Sequence, residues 1–275
     1  TGLIAGTYTV TVTDATGCTA TGTANVNDLG APGVSISSQG DPSCFGGCNG
    51  FASALVIGGT PPYSYLWSDP AAQTNALATG LCAGTFTVSI IDPDGCTANT
   101  SVTISQPAQL SVALLSNSPV VCNGQCNGQA SGLASGGTPP YAFLWNDPGN
   151  QTTTTATGFC PGTYGLTVQD SKGCIAMTTV TITEPLALTL AITPVPAHCG
   201  LPDGSAEANP SGGNGAYTFN WSNSQTDSNA INLVSGWYMV TVTDINGCTV
   251  AGLINIAYIP AGTASISSFA NVSCN

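Results

Sequence analysis

Twelve cysteines, one histidine and a scatter of aspartates are the side chains of this sequence best able to do chemistry. Cys44-x3-Cys48 and Cys122-x3-Cys126 are followed by Cys82 and Cys160, while Cys18, Cys96, Cys174 and Cys248 each close an Asp-x-x-Gly-Cys turn. Closely spaced cysteines can hold zinc, which takes closed sets of four ligands at structural sites. The third stretch of this kind keeps Cys199 but has Asp203 where a second cysteine would stand. No closed ligand set therefore recurs, no metal is expected, and oxidation to disulfides is the better reading. Cysteines used in this way belong to an oxidising, extracellular compartment, with the chain secreted or at a cell surface.

His198 beside Cys199 has the residue types of a thiol–imidazole pair. Cys199, however, belongs to a repeated framework, and no other copy has a histidine there. No catalytic residue is assigned, and the chain is read as a non-enzyme without a cofactor. An Asp that opens a turn usually caps its own backbone amides. Only Asp92 and Asp94 bring two carboxylates close together, and calcium takes six to eight oxygens. They are the sole calcium candidate.

The element that positions these residues recurs four times: GTYTVTVTDATGC (6–18), GTFTVSIIDPDGC (84–96), GTYGLTVQDSKGC (162–174) and GWYMVTVTDINGC (236–248). Its closing cysteines lie 78, 78 and 74 residues apart, a period that means an array of like domains. Residues 1–29 read as the C-terminal part of one repeat. Three repeats follow at 30–107, 108–185 and 186–260, and 261–275 begins a further one. The joints at Pro107, Pro185 and Pro260 are short, so neighbours are expected end to end with limited swing. Both ends fall inside a repeat, and the expectation is a window of a longer secreted chain.

Charge narrows the partners. With one Lys or Arg against 13 acidic residues, net charge −12, this surface has nothing with which to displace counterions from phosphates, which excludes nucleic acid. Hydrophobic residues at 42% give each repeat enough apolar material for a core. No apolar run approaches the ~20 residues of a membrane-spanning helix, so no transmembrane segment is expected.

Each repeat reads as six or seven short alternating strands with frequent turn signals and no helical period. This predicts an all-β chain of tandem immunoglobulin-like antiparallel β-sandwich domains. Trp67, Trp145 and Trp221 follow GGTPPY or GGNGAY turns and are predicted to fill one core each. Trp237 stands where two other repeats have Thr and is the aromatic expected to be exposed, a possible ligand contact.

The repeats also compare the cysteines. Cys48 and Cys126 are set against Asp203, and Cys82 and Cys160 against Val234; both members vanish together, predicting Cys48–Cys82 and Cys126–Cys160. For the rest, the default pairing within a domain is Cys44–Cys96, Cys122–Cys174 and Cys199–Cys248. In an immunoglobulin-like sandwich those positions lie a strand length of ~25 Å apart, whereas a disulfide needs Cα atoms within about 7 Å. Pairing across the joint, Cys44–Cys174 and Cys122–Cys248, is favoured; the alternative stays open because the strand order is itself inferred. Cys18, Cys96, Cys199 and Cys274 then have no partner in this stretch.

The combination CNG, GGTPPYxxxW, GTYTVTVTDxxGC and ITxP resembles the SprB-type repeat of cell-surface adhesins from gliding Bacteroidetes, and more distantly PKD-type immunoglobulin-like domains. The third repeat departs from it at Trp237 and at GGNGAY. The resemblance implies a secreted, repetitive surface protein of adhesion and gliding motility, with no catalytic residues. The expected function is a structural and adhesive stalk in an extracellular filament. Its partners would be neighbouring repeats, like chains and surface glycans. The alternative is a carbohydrate-binding module array.

Overall fold

The computed structural model describes residues 2–26 and 30–267. The chain forms two compact units. One comprises the residues up to Ser111 with Ala134–Ala142 and Val168–Ala176; the other comprises Val112–Leu133, Phe143–Thr167 and the chain from Met177 onward. Cys274 and residues 27–29 lie outside the described residues.

In the first unit, β1 (Gly6–Thr13) and β2 (Thr19–Val26) form an antiparallel hairpin. The sandwich behind it has six strands: β3 (Gly33–Gly40), β4 (Gly50–Ile57), β5 (Ser64–Trp67), β6 (Leu77–Leu81), β7 (Gly84–Ile91) and β8 (Thr97–Ile104). They sort into sheets ordered β3-β4-β6 and β5-β7-β8, every pair antiparallel. In immunoglobulin terms these are the A-B-E and C-F-G sheets. Alternation does the sorting: along β7, Val88 and Ile90 point inward and are wholly buried, while Ser89 and Ile91 face out. Ala52, Ala78, Leu81, Val102 and Ile104 complete the core around Trp67. The alanines of β4 and β6 leave room between the sheets for the indole.

The second unit holds the bulk of the next sandwich: β9 (Ser111–Ser118), β10 (Gly128–Ser135), β11 (Tyr141–Trp145), β12 (Thr155–Phe159), β13 (Gly162–Asp170) and β14 (Ile175–Ile182). The sheet orders repeat, β12-β10-β9 and β11-β13-β14. Here the indole of Trp145 meets Phe159 edge-on at 5.6 Å between centroids, and Phe159 stacks on Tyr164 at 4.3 Å. The third sandwich follows as β15 (Leu186–Val195), β16 (Ala197–His198), β17 (Gly204–Gly213), β18 (Thr218–Trp221), β19 (Asn229–Leu233), β20 (Gly236–Thr243), β21 (Thr249–Ile256) and β22 (Tyr258–Ile259). Its main sheets are β15-β17-β19 and β18-β20-β21, with Trp221, Leu233, Val240, Val242 and Ile256 in its core. The short β16 pairs with β22 in parallel.

Each buried indole N–H finds a carbonyl: Asn75 O at 2.9 Å, Thr153 O at 3.0 Å and Asp227 O at 2.9 Å. A glutamine then clips the loop after the Trp strand to the far sheet. The Gln151 side chain donates to Thr157 O at 2.9 Å and accepts from Thr157 N at 3.0 Å, taking the place of a neighbouring strand's backbone. Gln73 does the same with Thr79, and Gln225 with Ile231.

Candidate functional site

The residues with chemical potential gather at the two ends of each sandwich. At one end, the loop between the first two strands carries Cys44 and Cys48, or Cys122 and Cys126. Cys48 is bonded to Cys82 and Cys126 to Cys160, each across 34 residues of sequence, at the turn entering β7 or β13. At the opposite end, the turn after β7, β13 or β20 carries Cys96, Cys174 or Cys248.

The long-range disulfides join these two kinds of loop from different repeats. Cys44 is bonded to Cys174, with Cα atoms 5.7 Å apart and 130 residues between them in sequence. Cys122 is bonded to Cys248, at 5.6 Å and 126 residues. The pairings Cys44–Cys96, Cys122–Cys174 and Cys199–Cys248 are not formed; Cys18, Cys96 and Cys199 are free and exposed. Around the second bridge, Asn214 donates its side-chain amide to Val121 O at 3.1 Å.

Aspartates stiffen the receiving end. Asp170 accepts the N–H groups of Lys172 and Cys174 on one oxygen, at 2.9 Å each, and that of Thr138 on the other at 2.8 Å. The turn between β13 and β14 is thus tied to the turn between β10 and β11. Asp244 repeats the arrangement with Asn246, Cys248 and Asn214. Burial pushes both carboxyls upward, but these N–H donors outweigh it and hold them below the ordinary 3.8. The close approach demands glycine: at Gly137, whose φ is +62°, an added Cβ would sit 2.6 Å from Asp170 Oδ2.

Asp92 is engaged in the same way, by Asp94 N, Cys96 N and Thr60 N, and Asp94 accepts the Thr60 hydroxyl at 2.6 Å. Asp92 caps its own turn, and both carboxylates tie that turn to Thr60 in the turn between β4 and β5. Among the described residues, no group of three or more His, Cys, Asp or Glu side chains is placed to hold a metal ion. Trp67, Trp145 and Trp221 are buried, whereas Trp237 is 67% exposed.

The loop carrying Cys199 corrects one sequence correspondence. Asn49 and Asn127 accept the N–H of the residue before the first cysteine, Ser43 and Val121, both at 2.9 Å. In the third repeat Asp203 accepts the N–H of His198 at 2.8 Å. Asp203 therefore stands in for those asparagines, not for Cys48 and Cys126. The loop is one residue shorter, the second cysteine has no counterpart, and Cys199 takes up the slack with a left-handed φ of +51°. His198 Nδ1 lies 3.1 Å from Asp203 Oδ2, so the imidazole is engaged by a carboxylate.

The residue before the joint proline also acts here, and sequence comparison did not single it out. Gln106 accepts Gly46 N at 2.7 Å and Glu184 accepts Gly124 N at 2.8 Å, each pinning a cysteine loop to its own joint. The signal was present: a polar side chain long enough to reach back stands immediately before Pro107 and Pro185.

No curated protein sequence matches this chain. Similar solved structures include three N-terminal domains of the Hoc capsid protein of bacteriophage RB49, with 15% identity, 84% of this chain and 100% of that one covered, and a TM-score of 0.41. Eight immunoglobulin domains of the Down syndrome cell adhesion molecule match at 14% identity and a TM-score of 0.38 over 93% of this chain, which spans 40% of that one. A calcium-stabilised, ice-binding adhesin of an Antarctic bacterium matches at 16% identity and 0.35, covering 93% of this chain and 81% of that one. The SprB repeat model matches at 36–72, 116–150 and 191–226, each stretch running from the first strand of a sandwich past its buried tryptophan. Three stretches of the chain, one in each sandwich, are thus similar to the SprB repeat.

Proposed function

We propose that this chain is a load-bearing segment of an extracellular adhesive surface protein, a non-enzymatic spacer that resists extension. The observation behind this reading is that the two long disulfide loops interlace: Cys122 lies inside the Cys44–Cys174 loop, and Cys174 lies inside the Cys122–Cys248 loop. Tension entering at β1 crosses to Cys174 through one bridge and reaches Cys248 through the other. The Cys126–Cys160 bridge shortens the stretch between them. Between Gly6 and Pro260 the shortest covalent path is about 70 residues instead of about 250, roughly 230 Å against 860 Å at ~3.4 Å per residue. Disulfides of this kind fit an oxidising, extracellular setting. No helix of the described residues is long and apolar enough to cross a membrane.

Single-molecule stretching of the chain, held at its two ends, tests this reading. The oxidised protein should stop extending near the shorter length and gain the difference after reduction. Equal extension in both states would rule the reading out.

A further inference from the structure

The third repeat presents a surface that its siblings lack, on the outer face of the β18-β20-β21 sheet. Trp237, Met239 and Leu253 are 67%, 49% and 62% exposed. The register sets Trp237 directly opposite Asn255, and Met239 directly opposite Leu253. The four side chains therefore form a rectangle on one face, roughly 5 Å across the strands and roughly 7 Å along them.

At the matching cross-strand positions elsewhere, polar side chains satisfy one another. Thr7 Oγ1 donates to Asn25 Oδ1 at 2.7 Å, the hydroxyls of Thr85 and Thr103 meet at 3.1 Å, and those of Thr163 and Thr181 at 3.0 Å. Trp237 occupies the threonine place. Asn255, the counterpart of Asn25, loses that partner, and its side-chain amide has no hydrogen-bond partner among the described residues. An exposed indole beside an open amide offers a stacking plane together with one acceptor and two donors.

Charge then selects the occupant. The sequences TFNW, GWYMVTVT and TVAGLINI of the three strands contain no Asp, Glu, Lys, Arg or His. A chain of net charge −12 repels both an anionic polymer and a second copy of itself. We propose that this face binds a neutral glycan, with a pyranose ring stacked on Trp237 and its vicinal hydroxyls bonded to the Asn255 amide. Met239 and Leu253 would extend the contact to the adjoining sugar. The site is independent of the load-bearing reading, since neither disulfide contributes to it.

The test uses the oxidised 275-residue chain with three neutral hexasaccharides as probes: cellohexaose, laminarihexaose and a mannohexaose. Trp237 is the exposed tryptophan among four, so its fluorescence should change on binding, and calorimetry gives the affinity. Trp237→Ala should weaken binding at least tenfold and Asn255→Ala severalfold, while Trp237→Phe retains a stacking plane and part of the affinity. Circular dichroism checks that each variant is folded, which the exposed positions favour. Failure of all three probes at millimolar concentration would overturn the proposal, as would binding that survives Trp237→Ala. So would sedimentation equilibrium showing a dimer that Trp237→Ala dissociates.

Discussion

Asp170 accepts the backbone N–H of Thr138 at 2.8 Å across 32 residues of sequence, and with its other oxygen caps the turn that presents Cys174 to Cys44. One carboxylate thus sets the position of a sulfur that belongs to a joint. Asp244 does the same for Cys248. The bridges between repeats rest on turns that each repeat has already fixed by itself.

This has a pH consequence. Asp14, Asp41, Asp69, Asp147, Asp170, Asp203 and Asp244 are all held below the ordinary 3.8 by hydrogen bonds in the folded state. A carboxyl whose folded pKa is depressed contributes stability that is present above the unfolded pKa and lost as pH falls through the folded value. Melting temperature should therefore be higher above about pH 5 and fall as the pH drops below about 4. Calorimetric scans from about pH 2 to 6 check it; a melting temperature that does not fall below about pH 4 would contradict it.

Gln151→Glu should destabilise the second repeat by about 1–3 kcal/mol at neutral pH. A carboxylate can still accept from Thr157 N but cannot donate to Thr157 O, which leaves that carbonyl unpaired. A lowered urea midpoint with unchanged slope is the expected result, and Gln73→Glu should behave alike in the first repeat.

Replacing Cys126 and Cys160 together by Ser removes a closed loop of 34 residues and should cost about 3–4 kcal/mol on the chain-entropy model. The third repeat gives the internal comparison, since Val234 stands at the position of Cys160 without a bridge. Urea titration of the variant should show the second repeat shifted while the third keeps its midpoint.

Asp203→Asn should lower the melting temperature less than Asp203→Ala, because Asn49 and Asn127 make the same backbone bond in their loops and only the contact of the carboxylate with the imidazole is altered. Asp203→Ala removes the acceptor for His198 N and should lower the melting temperature by a few °C. If the two substitutions have equal effects, the role assigned to Asp203 is wrong.

Period, alternation and turn chemistry made the fold readable, because the inner strands of each sandwich, such as β4 and β7, alternate buried and exposed residues around one tryptophan. The indole in the core, the paired sheets and the turn aspartates all leave marks in residue type. The third cysteine loop was less legible. Residue identity aligns Asp203 with a cysteine, whereas the hydrogen bond to His198 aligns it with an asparagine; a one-residue deletion changes the backbone path without announcing itself in the letters. The glutamine clips were hidden for a related reason. Gln73 and Gln151 stand six residues after their tryptophans and Gln225 only four, so the shared role survives a change of spacing. Gln106 and Glu184 do one job with different residue types, and only the geometry of the cysteine loop unites them.

The interlaced bridges also bear on proteolytic damage. Any single backbone cut between Cys44 and Cys248 falls inside at least one of the two long loops, so both fragments stay attached. Lys172, the one residue trypsin recognises, is exposed and lies inside both. A tryptic nick there would leave the protein running as one species until a reductant separates it, so one hydrolysed peptide bond in this region does not shed what the protein holds.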